Sequence, residues 1–158
     1  MSNNLELKRV NENLYKIFYN NKKIIMPIND AKVPFGLENN YNKYKLKIEL
    51  KDNDTKDMIY EIENYLMDHF KITEKKFKSS IRKNKKYVDL LICNLKKYNN
   101  NIIVKIKYNS EDDYLKTIYD ISKDHIGNYS VHIDSVWYYP DSDFELGMNI
   151  FVNKINIR

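Results

Sequence analysis

The spacing of apolar side chains changes period once in this sequence, and that change limits the possible folds. Residues 43–50 alternate Lys43, Lys45, Lys47 and Glu49 with Tyr44, Leu46, Ile48 and Leu50, the two-residue period of a strand with one wet face. From residue 54 to residue 70 the step lengthens, and Met58, Ile59, Ile62, Tyr65, Leu66 and Phe70 recur every three or four positions. That stripe predicts an amphipathic helix, with Asp54 or Thr55 as its N-cap. The rest of the chain returns to short, strand-like runs. The expected fold is therefore mainly β with one or two helices: a curled antiparallel sheet or barrel of OB-fold type, with the helix inserted at about 54–70.

The remaining runs fill in this outline. Residues 1–13 are polar and read as a loose lead-in, leaving 14–158 as a single OB-like domain. Leu14–Tyr19 and Lys23–Ile28 flank Asn20-Asn21-Lys22 and predict a hairpin, with Pro27 placing its second strand at an edge. Pro34-Phe35-Gly36 predicts a turn. Further strands are expected at Ser79–Arg82, Tyr87–Lys96, Ile102–Tyr108, Leu115–Ile121, Tyr129–Tyr139 and Met148–Ile157. The last changes its apolar face near Asn153, as a β-bulge would make it. Strict alternation in Tyr129–Tyr139 turns Trp137 towards the core with Val131 and Ile133 and leaves Tyr138 on the opposite face.

Composition excludes several classes. With 42% hydrophobic and 13% aromatic residues the chain can build a core. No apolar run is long enough for a membrane span, and the opening MSNNLELKRV lacks the apolar stretch of a secretory signal. A single cysteine, Cys93, leaves no internal disulfide framework and fits a reducing compartment; its apolar surroundings make it a core residue. An intracellular protein is expected.

The chain has 24 Lys, 22 Asn and 20 Ile, an A/T-rich codon bias that makes lysine abundance a poor guide to function. The distribution of charge is more informative. Of the formal +5, residues 71–88 hold Lys71, Lys75, Lys76, Lys78, Arg82, Lys83, Lys85 and Lys86 against one acid, Glu74. A dense cationic stretch can hold phosphates and release condensed counterions. Phe77 and Tyr87 lie inside it, with Tyr44 and Tyr108 on other strands; Tyr138 is the better-placed aromatic of the later pair. Cations along a backbone and aromatic faces for bases suit sequence-tolerant single-strand binding. Lysine in place of arginine argues against base-specific reading. A solvated lysine loop or a nuclear-import signal would also give such a cluster.

Catalytic patterns are sparse. His69, His125 and His132 are scattered, and Gly36, Gly127 and Gly147 cannot make a phosphate loop. Glu111-Asp112-Asp113, with Asp120 and Asp124, reads as an acidic loop. The one enzymatic pattern is Asp30 followed by Glu49 and Lys51 on one strand face, an arrangement by which some nucleases hold Mg²⁺. No catalytic residue, metal or cofactor is expected.

Three segments carry a resemblance: Pro34-Phe35-Gly36-Leu37-Glu38 leading into YNKYKLKIEL, the basic SSIRKNKKYVDLLI, and Val136-Trp137 followed by FELGMNIFVNKINI. Over residues 33–158 the chain resembles the OB-fold single-stranded-DNA-binding proteins of nucleocytoplasmic large DNA viruses, a group similar to the single-strand binders of some tailed phages. The resemblance implies a non-catalytic role in viral DNA replication and recombination, in the host cytoplasm or nucleus. The partner would be single-stranded DNA, with RNA and a homo-oligomer as open alternatives and no membrane. The phage proteins end in an acidic tail, whereas this chain ends Asn153-Lys154-Ile155-Asn156-Ile157-Arg158. The competing reading is a virion or interaction protein whose basic segment meets an acidic partner or packaged genome.

Overall fold

One long strand organises the molecule. In the computed structural model, which describes residues 4–41, 43–83, 85–86, 88–99, 101–108 and 121–157, the chain order is thirteen strands and one α-helix. The first five strands are β1 (Leu5–Asn11), β2 (Leu14–Tyr19), β3 (Ile24–Val33), β4 (Glu38–Asn40) and β5 (Lys43–Glu49), followed by the helix α1 (Asn53–Phe70). After α1 come β6 (Phe77–Lys78), β7 (Ile81–Arg82), β8 (Leu90–Asn94), β9 (Lys96–Tyr98), β10 (Asn101–Ile103) and β11 (Lys105–Tyr108). Two long strands, β12 (His125–Tyr138) and β13 (Leu146–Ile157), close the series.

β12 pairs with β13 along one edge, while its other edge takes β3 opposite residues 125–133 and β2 opposite residues 135–137. The sheet runs β1-β2-β12-β13-β8-β5-β4, with β3 also on β12. It curls without closing, because β3 and β5 come near one another but share no ladder. The architecture is thus the expected one, mainly β and barrel-like of OB type with a single α-helix. Parallel junctions of β6, β8 and β11 with β13 interrupt the otherwise antiparallel pairing.

Several local expectations are corrected. The polar lead-in contains a strand: Leu5–Asn11 pairs with β2, burying Leu5 while its charged residues stay wet at the sheet edge. The expected hairpin of β2 and β3 is instead a corner, joined by a single bridge between Tyr19 and Lys22, since both strands follow the same edge of β12. Asn20 and Asn21 turn that corner at positive φ, which Asn tolerates better than most residues. Pro27 does sit in a strand that, among the described residues, is paired on one side only, opposite Ser130. The helix cap is Asp52, two residues before Asp54 and three before Thr55. Its carboxylate accepts from the Asp54 amide at 2.9 Å and the Thr55 hydroxyl at 2.9 Å. The strand expected at 115–121 lies outside the described residues except for Ile121, which is buried.

The core lies between the inner face of the curl and α1. Leu46, Ile48 and Leu50 meet Ile59, Ile62 and Leu66 in one apolar cluster with Cys93, Val131 and Ile150. Each fully buried aliphatic side chain there contributes about 1.5–3 kcal/mol. Glu63, on the buried side of α1, is only 2% exposed. Its carboxylate accepts from Ser79 Oγ at 2.7 Å and from the Ser80 amide at 2.9 Å, tying the helix to the segment between β6 and β7. Burial pushes the Glu63 pKa up, against the lowering effect of those two hydrogen bonds.

Two bulges set which side chains reach which face. Ser130 faces Lys154 and Val131 faces Val152, leaving Asn153 unopposed on β13, where the apolar phase of the sequence changes. Ile133 faces Ile150 and Ser135 faces Asn149, leaving Asp134 unopposed on β12. Past that second bulge the alternation inverts. Val136 is fully buried, Tyr138 packs its ring 4.9 Å from Phe70, and Trp137 turns outward.

Candidate nucleic-acid interface

The outer face of the curl, opposite α1, carries a continuous row across five strands. Lys45 stands beside Asn94, Asn94 beside Phe151, Phe151 beside His132 and His132 beside Ile25. A parallel row brings Asn149 beside Ser135, Ser135 beside Lys16 and Lys16 beside Lys8. Alternation places polar and cationic residues on this face for the same reason that it places Leu46 and Ile48 in the core.

At one end the face deepens into an open groove of about 450 Å³. Four lysines line it: Lys43 and Lys45 from β5, Lys78 from β6 and Lys97 from β9. Tyr44, Trp137 and Phe151 supply aromatic surface, and Ser79, Ser80, Asn94 and Asn149 supply polar groups; among the described residues no carboxylate lines it. Partial burial lowers the Lys45 pKa, and the neighbouring charges of Lys78, Lys43 and Lys47 lower it further, with only Glu38 opposing them. Lys97 Nζ lies 4.7 Å from the Tyr44 ring centre and Lys96 Nζ 4.8 Å from that of Phe151. Such contacts fix the rings while leaving positive charge beside them.

Beyond the groove the same face holds its own counter-ion. The Asp134 carboxylate, carried by the bulge, accepts from Lys16 Nζ at 2.8 Å, with Lys96 Nζ at 3.6 Å and His132 Nδ1 at 3.8 Å. Burial raises the Asp134 pKa, but the hydrogen bonds from Lys16 and Ser135 and the charge of Lys96 hold it below the usual carboxylate range. Burial lowers the His132 pKa, more than Asp134 raises it.

The residues expected from the charge run are dispersed. Lys78 lines the groove. Lys71 caps the C-terminus of α1 in a left-handed conformation, and Lys76 Nζ donates to the Ser142 carbonyl at 3.2 Å. Lys83 lies over the Tyr60 ring at 5.6 Å, on the helix side. Lys75, Arg82, Lys85 and Lys86 are exposed away from the groove lining. Two expected stacking residues are corrected: Phe77 is buried in the core, and Tyr138 is turned onto Phe70 by the bulge. Tyr87 and the side chain of Tyr108 lie outside the described residues. Lys43, Lys45, Lys97, Trp137 and Phe151 were not expected at the site. For the first two the signal was present, as the lysine stripe of β5, but a charged strand face reads equally well as simple solvation.

The nuclease-like residues do share a place. Asp30, Glu49 and Lys51 line a cleft of about 380 Å³ between β3 and β5, with Lys51 Nζ 3.8 Å from Glu49. Among the described residues, however, no three His, Cys, Asp or Glu side chains are grouped to hold a metal ion. The expected acidic loop is outside the described residues except for Asp124, which is exposed. No described helix is long and apolar enough to cross a membrane. Comparison with protein-family models, characterised proteins and solved structures returned no match for this chain.

Proposed function

We propose that this chain is a non-catalytic, largely sequence-independent single-stranded DNA-binding protein whose contact surface is the outer-face groove. The observation that carries the reading is the convergence of Lys43, Lys45, Lys78 and Lys97, from three separate elements, on a groove that, among the described residues, no carboxylate lines. Folding brings these charges together at a cost: burial, and after it the charges of Lys78, Lys43 and Lys47, lower the Lys45 pKa. A phosphate backbone laid in the groove offsets that repulsion and releases counterions. Lysine holds phosphate as a point charge and does not select a base. A role in viral DNA replication and recombination follows from the sequence resemblance.

The test is fluorescence anisotropy with labelled oligo-dT and a matching duplex over a salt series. Tighter binding to the single strand, weakening steeply with salt, is expected. Equal affinity for both forms, or no binding, would overturn the reading; the latter together with assembly in the absence of DNA would favour a structural protein.

A further inference from the structure

We infer that Trp137 is the platform on which one unpaired nucleobase stacks, so that the groove holds a base as well as phosphates. The inference rests on the proposed DNA-binding role of the groove, and it goes further by assigning the single-strand preference to one residue.

Three observations converge. The Asp134 bulge takes Trp137 out of the core phase and sets it in the groove wall. Its cross-strand partner is Gly147, and the indole lies across that glycine. A Cβ at 147 would collide with Cζ2 of Trp137 and stand 2.6 Å from Cε2 and 3.0 Å from Nε1. The ring is therefore seated against the backbone of β13, with the missing side chain making room for it. It is half-buried, and Tyr139 packs beside it at 6.2 Å between ring centres. Finally, it shares the groove with Lys45 and Lys78, placing a flat apolar surface beside cations. A strand whose phosphates sit on those lysines can lay a base on the indole. A duplex cannot, because its base faces are already stacked internally.

The chain has one tryptophan beside 14 tyrosines, so emission under tryptophan-selective excitation reports on this position alone. The experiment titrates the full chain with oligo-dT and with an abasic strand of equal length. Tryptophan emission and the anisotropy of labelled strands are followed in parallel. Oligo-dT should change the emission, while the abasic strand binds and leaves it unchanged. Trp137→Ala should weaken oligo-dT binding by roughly 5- to 150-fold, the usual range for losing a stacked base, without altering the salt slope. Trp137→Phe should retain most of the affinity and guards against a folding defect in the alanine variant. If oligo-dT binds but leaves the emission unchanged, or the abasic strand changes it equally, the platform is wrong and the groove reading survives. Absence of any binding by anisotropy instead removes the groove reading itself.

Discussion

Replacing lysines in two different places separates the groove from the charge run. Four lysines line the groove, and each phosphate neutralised on a single strand contributes about −0.7 to the slope of log affinity against log salt. Four contacts give a slope of about −2.8, a loss of about 50-fold in affinity between about 50 and about 200 mM salt. Changing Lys45 and Lys78 together to Gln removes two contacts, leaving a slope of about −1.4 and a loss of about 7-fold over the same range. Neither change should harm folding, because Lys45 is held against repulsion and Lys78 is exposed. Changing Lys83, Lys85 and Lys86 together to Gln removes more charge from the sequence but none from the groove lining, so the slope should stay within about 0.3 of wild type. The assay is anisotropy of labelled oligo-dT at five or more salt concentrations, with circular dichroism as a folding check. The reverse pattern, a flattened slope in the triple and an unchanged one in the groove double, would refute the assignment and move the contact surface to the segment at 83–86.

Other outcomes follow from individual side chains. The Lys45 pKa lies below its unfolded value of 10.5, so at neutral pH its charge disfavours the folded state. Lys45→Met should therefore raise Tm, by less than about 3 °C given its partial exposure, while weakening DNA binding; a lower Tm would count against the repulsion argument. Glu63→Ala leaves the buried Ser80 amide without its acceptor, at a cost of about 1–3 kcal/mol in chemical denaturation; a loss below about 0.5 kcal/mol would mean the helix is not held there. The His132 pKa is lowered from 6.5 in the folded state, so the unfolded chain binds more protons below that pH. Stability from this residue is complete above 6.5 and declines as pH falls towards the lowered value. His132→Phe should remove that share of the decline, and an identical stability profile for the variant would refute it.

The parts of the fold visible in the sequence were those with an uninterrupted period. Lys43–Glu49 and the helix at 53–70 each keep one spacing throughout, and Asn153 is flagged because Met148, Ile150 and Val152 give way to Ile155. The bulge at Asp134 produces the same phase change, from Val131 and Ile133 to Val136. There, however, Trp137 and Tyr139 are apolar on the old phase as well and hide it. The first strand was hidden by polarity, since an edge strand with one ladder needs few apolar residues. The site was hardest to read, because charge density along a chain measures neighbours in sequence. The groove gathers Lys43 and Lys97, fifty-four positions apart, and register rather than composition brings them together.

The unopposed residue at Asp134 also sets how β12 can change over time. Replacing Asp134 would perturb an ion pair. Deleting it would instead close the bulge: the ladder would run from Ile133 opposite Ile150 straight to Ser135 opposite Asn149, leaving Trp137 beside Gly147 on the outer face. The outward face of Trp137 is thus set by its register against β13, and the extra residue at 134 is only accommodated by the strand. Among related sequences, β12 should tolerate varied residues or a one-residue deletion at position 134, while the residue opposite the tryptophan stays glycine.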